Sequence, residues 1–211
     1  MKINKKVNCS RIAAGYLFLG TLVAFIGQGA GLCLASIASV NSFDGLKYII
    51  ENNSSPTINI KANYITFGRK LSVIDRNLTI SGEIGGSILN GDYFHRMLAF
   101  SPNLNNITIN NIHFQNGLDE ENGIVDFING GGAINIKEGT AVTLNNISFS
   151  SNTALTYGGA IYSDGNVQNK NTLMFYSGTI FTDNKSICGY GGAVYALYSN
   201  LAFSGWTRFE K

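Results

Sequence analysis

From Pro56 onward, apolar and polar residues alternate with a period of two, in pieces too short for helices. Thr57-Ile58-Asn59-Ile60, Tyr64-Ile65-Thr66-Phe67 and Leu78-Thr79-Ile80 each read as a strand, and Ser81-Gly82 turns the chain after the last. Just upstream the period lengthens. Phe43, Leu46, Ile49 and Ile50 fall at helical spacing behind Ser42, a suitable N-cap, so one short helix is predicted over residues 42–52. Earlier still, Ile12–Leu34 is interrupted only by small or weakly polar residues; it follows Lys2, Lys5, Lys6 and Arg11 and precedes Ser36-Ile37-Ala38. This is the three-part layout of a secretory signal peptide cleaved after Ala38. A permanent membrane-spanning helix is the rival reading, and Gly15, Gly20, Gly27, Gly29 and Gly31 weaken it.

The alternating region repeats itself. Thr108-Ile109-Asn110-Asn111-Ile112-His113-Phe114 matches Thr143-Leu144-Asn145-Asn146-Ile147-Ser148-Phe149 at an offset of 35, and Phe175–Phe181 follows at 32. Leu201–Phe209 is a further copy at 28. A second element alternates with the first: Gly131-Gly132-Ala133-Ile134, Gly158-Gly159-Ala160-Ile161 and Gly191-Gly192-Ala193-Val194. Asn follows the repeated Phe in Phe149-Ser-Ser-Asn152 and Phe181-Thr-Asp-Asn184, with Phe114-Gln-Asn116 as an imperfect earlier copy.

Repeats of this length whose members differ mainly in loop size describe a solenoid, in which equivalent positions stack along one axis. The recurring Phe predicts an internal aromatic stack. The recurring Asn predicts a turn with a left-handed residue and a side-chain ladder. Gly-Gly-Ala predicts a corner where the backbone takes positive φ and approaches its neighbour closely. The expected organisation is a signal peptide over 1–38, an N-terminal cap over 39–56 and a solenoid over 57–211. Phe209 stands where another Phe-x-x-Asn begins and only Glu210 and Lys211 follow, so the sequence is expected to stop within a rung, as a fragment would.

Composition sharpens this picture in two ways. Charged residues are 13% of the chain against 45% hydrophobic, and Asn occurs 26 times, which disfavours disorder and long surface helices. The basic excess belongs to the export signal: beyond residue 38 there are eleven basic residues against thirteen acidic ones, a net of −2. No cationic surface is offered to nucleic acid. Cys9 and Cys33 leave with the signal, so no disulfide framework is expected, and Cys188 reads as a small buried residue.

The alternating Gly-Gly-Ala-Ile/Val and Phe-x-x-Asn tetrapeptides resemble those of the polymorphic membrane proteins, chlamydial-type outer-membrane autotransporters. The resemblance runs from about Leu78 to Lys211. It implies an all-β passenger folded as a right-handed parallel β-helix, carried to the cell surface by a C-terminal barrel. It also implies adhesion to host or neighbouring cells, with Gly131–Ile134, Phe149–Asn152, Gly158–Ile161, Phe181–Asn184 and Gly191–Val194 as the residues in question. The run of short amphipathic strands that such a barrel requires is missing from the C-terminal part of the sequence, so anchoring by this chain alone is not expected.

The stacking argument also explains the tetrapeptides as purely structural, leaving adhesion to loops or a lateral face. The rival function is a polysaccharide lyase or hydrolase, which needs converging carboxylates. Here Asp75, Glu83, Asp92, Glu138, Asp164 and Asp183 share no offset that would stack them. Asp119-Glu120-Glu121 with Asp126 reads as a solvated polar loop rather than a Ca²⁺ site. His95-Arg96 and His113 look isolated, no zinc spacing occurs, and no cofactor is expected. A non-functional truncated product is the third reading.

Overall fold

The computed structural model describes residues 37–119 and 130–211. The segment expected to be an export signal, with Cys9 and Cys33, lies outside these residues except for Ile37 and Ala38. Those two open the first strand, Ile37–Val40, which pairs in parallel with Thr57–Ile60. Sheet structure thus begins ahead of the helix, not after it.

The helix spans Phe43–Asn52, with the Ser42 hydroxyl accepting from the Gly45 amide at 3.2 Å. Leu46, Ile49 and Ile50 are buried in the same core as Ile58 and Ile60, and the Phe43 ring lies 5.0 Å from that of Phe67. Arg76 donates to the Ile50 carbonyl, an acceptor that the helix end leaves open, and to the Ile49 carbonyl, which also accepts from the Asn53 amide.

Among the described residues every strand pair is parallel, so the fold is an all-β parallel β-helix. The longest sheet orders Ile37–Val40, Thr57–Ile60, Leu78–Ser81, Ile107–Gln115, Ala141–Ser150, Asn171–Tyr176 and Ser199–Ser204 as successive neighbours. A second row continues it: Tyr64–Thr66 and Ser87–Asn90, then the second halves of the two long strands, then Thr179–Thr182 and Thr207–Glu210. Leu98–Phe100, Ile134–Lys137, Ile161–Asp164 and Val194–Leu197 form another wall. Leu118–Asp119, Thr153–Ala154 and Lys185–Ser186 form a short third one.

Period two decides which side chains fill the interior. Leu78, Ile107, Val142 and Leu173 form one buried column; Ile80, Ile109, Leu144 and Phe175 form the next. Burying each such side chain contributes roughly 1.5–3 kcal/mol.

The register corrects one sequence alignment. An offset of 32 throughout would set Phe175 against Thr143, whose side chain faces outward. The structure sets Phe175 against Leu144 and Phe181 against Phe149, offsets of 31 and 32. The extra residue is taken up where Ser177 and Gly178 stand opposite Asn146 alone, all three with positive φ (56°, 75° and 52°). A one-residue slip within a strand would have turned Phe175 to solvent; a slip at the kink keeps it inside.

Candidate functional site

Phe114, Phe149, Phe181 and Phe209 stack in register, with ring centroids 5.2, 4.9 and 4.7 Å apart and interplanar angles of 10°, 7° and 4°. Offset-stacked rings add roughly 0.5–1.5 kcal/mol per pair beyond the area they bury. Phe149 and Phe181 are fully buried.

The Asn that follows binds across rungs. The Asn152 side-chain amide donates to the Phe114 carbonyl at 3.0 Å and to Asn184 Oδ1 at 2.9 Å, and its own Oδ1 accepts from the Gly117 amide at 2.9 Å. Asn184 repeats the gesture toward the Phe149 carbonyl at 2.9 Å. The left-handed residue is not the Asn, as the sequence suggested, but the one before it: Ser151 (φ 55°) and Asp183 (φ 52°). This explains the imperfect copy. Asn116 (φ 52°) holds the left-handed place, and Gly117 stands where the ladder Asn would be, with no room for a Cβ because the Gly132 carbonyl oxygen would lie 2.2 Å from it.

Gly158 turns with φ 60°, and a Cβ on Gly159 would lie 2.2 Å from the Gly192 carbonyl oxygen and 2.5 Å from the Lys185 amide. Gly131 and Gly191 also take positive φ, 77° and 72°. The corners bond directly to one another, Gly132 N to Gly159 O at 2.9 Å and Ala160 N to Ala193 O at 2.8 Å. Lys185 follows Asn184, so the Gly-Gly-Ala corner lies against the backbone just beyond the Phe-x-x-Asn of the next rung. Gly131, Gly132, Ala133, Ile134, Gly158, Gly159, Ala160, Ile161 and Asn152 are all buried; in the outermost copy Gly192 is exposed, while Gly191, Ala193, Val194 and Asn184 are half-buried.

Sequence reading missed a tyrosine frame around this corner. Tyr157 and Tyr162 flank one Gly-Gly-Ala-Ile, and Tyr190 and Tyr195 flank the next copy, Gly-Gly-Ala-Val. The recurrence was visible as a Tyr on each side of the tetrapeptide. The Tyr157 ring lies 4.6 Å from that of Tyr195 and 6.0 Å from that of Tyr162, and the Lys137 ammonium stands 5.8 Å over Tyr162. Burial, then the charge of Asp164, pushes the Tyr162 phenol well above its ordinary range. Tyr190 remains 72% exposed.

The structure corrects four further expectations. Arg96 is not isolated: its guanidinium pairs with Asp119 and its Nε donates to the Gly131 carbonyl at 3.0 Å, with both side chains buried. Asp119 is therefore no part of a solvated loop; Glu120, Glu121 and Asp126 lie outside the described residues. His113 shares a hydrogen bond between its Nδ1 and the Ser148 hydroxyl on the next rung. Cys188 is exposed, on a bend where its amide donates to the Leu155 carbonyl at 2.8 Å. Among the described residues no three His, Cys, Asp or Glu side chains come together as metal ligands would.

Comparison with known proteins agrees with this geometry. The family model described as the Chlamydia polymorphic membrane protein (Chlamydia_PMP) repeat matches residues 146–164 and 178–197. Each match carries the Gly-Gly-Ala-Ile/Val corner together with its Phe-x-x-Asn. The chain is also 29% identical over 182 residues to the probable autotransporter YfaL of Escherichia coli (strain K12), a match covering 80% of this chain and 13% of that protein. No solved structure matches it. Two successive rungs of this β-helix thus match the polymorphic-membrane-protein repeat, in a chain similar to a probable autotransporter.

Proposed function

We propose that the chain is an exported, surface-displayed β-helical passenger segment that adheres to host or neighbouring cells. One observation carries the reading: the matched repeats are consecutive rungs whose tetrapeptides turn inward and leave a lateral face in registered columns. Thr108 stands beside Thr143, Asn110 beside Asn145 and Gln115 beside Ser150, all half-buried and outward-facing. Such a scaffold holds contact groups at fixed spacing on rigid elements, the arrangement that recognition requires. The similarity to a probable autotransporter supports display at the cell surface. The export machinery, acting on residues 1–38, and a barrel in the same or another chain are the partners this reading needs.

The test fuses the full chain ahead of an autotransporter barrel in a non-adherent bacterium. Several-fold more bacteria should bind cultured epithelial cells, or one another, than bacteria carrying the barrel alone. Equal counts in both assays would refute adhesion.

A further inference from the structure

Residues Gly91–His95 make a tight turn on an inner rung, with Phe94 N and His95 N both donating to the Gly91 carbonyl at 3.1 and 3.0 Å. Its two central residues, Asp92 and Tyr93, have φ of 54° and 61°. Asp tolerates the left-handed region; a bulky ring there is a genuine outlier, and Gly or Asn is the ordinary occupant of such a turn. The strain arises from the Cβ against the backbone, while the rings themselves lie largely in solvent. Tyr93 is 60% exposed and Phe94 beside it 67%.

The turn is nevertheless held on every side. Gly91 N bonds to Gln115 O at 2.9 Å and Tyr93 N to Asn116 O at 2.7 Å. Asn90 Oδ1 accepts from both the Asp92 amide and the Asn116 side chain. Directly after the turn, buried Arg96 is fastened to Asp119 and to the Gly131 carbonyl. Two solvent-facing aromatic rings on a strained but rigidly anchored backbone are what a preorganised contact loop consists of, since little entropy remains to be lost on binding.

The geometry points to the Asp92-Tyr93-Phe94 turn as a recognition knob that inserts into an apolar pocket on a protein partner, one whose rim is basic. The protein occupant follows from charge and shape. Exposed Asp92 stands beside the rings and would meet an anionic lipid surface unfavourably, whereas a Lys or Arg at the rim of a pocket complements it. Aromatic anchors of this kind dominate protein–protein contacts. The inference deepens the adhesion reading and rests on it.

Tyr93→Gly and Phe94→Ser are made in the full chain displayed on bacteria, and purified chains are compared by thermal unfolding. Tyr93→Gly should raise the unfolding midpoint, because it removes the left-handed strain, yet lower adherence about tenfold or more, the loss expected for a contact hot spot. Phe94→Ser should lower adherence similarly with little change in midpoint. Wild-type adherence should fall after the target cells are shaved with trypsin and weaken as salt is raised. Variants that adhere like the wild type would overturn the knob while leaving adhesion standing. So would wild-type binding to protein-free vesicles of phosphatidylcholine and phosphatidylglycerol, or adherence that tracks self-association of the chain. A wild-type chain that fails to adhere would overturn both readings.

Discussion

At the scale of single residues, Arg96 shows how much a buried charge organises. It joins Asp119, the last described residue before position 130, to Gly131 at the first Gly-Gly-Ala corner. Removing one member of a buried ion pair leaves the other charge unpaired, at a cost of about 3–5 kcal/mol, whereas replacing both by apolar residues costs far less. Arg96→Met and Asp119→Leu should each lower the urea unfolding midpoint sharply, and the double variant should be more stable than either single one. A double variant whose loss is the sum of the two would show that the pair is not coupled. This clasp was invisible in the sequence because its partners lie 23 and 35 positions from Arg96, and neither Arg96 nor Asp119 belongs to a repeated tetrapeptide. Nothing in a lone His95-Arg96 dipeptide announces them.

At the scale of the rung, most of the architecture could be read from period two and recurrence. Phe114, Phe149 and Phe181 stack as expected because identical positions in a solenoid must face one another. What could not be read was which residue at the turn does which work. Asn was assigned both the left-handed backbone and the ladder; the structure divides these between Ser151 and Asn152. Spacing locates a turn, but only the hydrogen-bond partners show which of its residues takes positive φ. The division predicts unequal tolerance. Asn152→Ala strands the buried Phe114 carbonyl and Gly117 amide and should cost about 3 kcal/mol, at roughly 1–3 kcal/mol for each orphaned group. Ser150→Ala, on the outward face two residues earlier, should stay within about 0.5 kcal/mol. Equal denaturation midpoints for the two variants would remove the ladder from the account of stability.

For the whole molecule, stability comes from neighbour on neighbour, so the number of residues in a rung matters less than where any extra ones fall. Between the two strand rows, Gly82–Gly86 occupy in one rung the place that Asn111 and Asn146 each fill alone in the next two. Ser177 with Gly178, then Gly205 with Trp206, fill it in the two after that. Lengths of five, one, one, two and two leave the flanking columns in line, so this kink behaves as an expansion joint running up one side of the solenoid. Foreign sequence introduced there should ride along without disturbing the load on either side. Four residues inserted between Ser177 and Gly178 should shift the melting temperature by only about 2 °C, no more than a loss of 1 kcal/mol produces in a domain of this size. A single residue inserted between Leu173 and Met174 should abolish cooperative melting by turning Phe175 outward. The same seam that lets rungs differ in length is therefore where a displayed peptide could be grafted onto this scaffold.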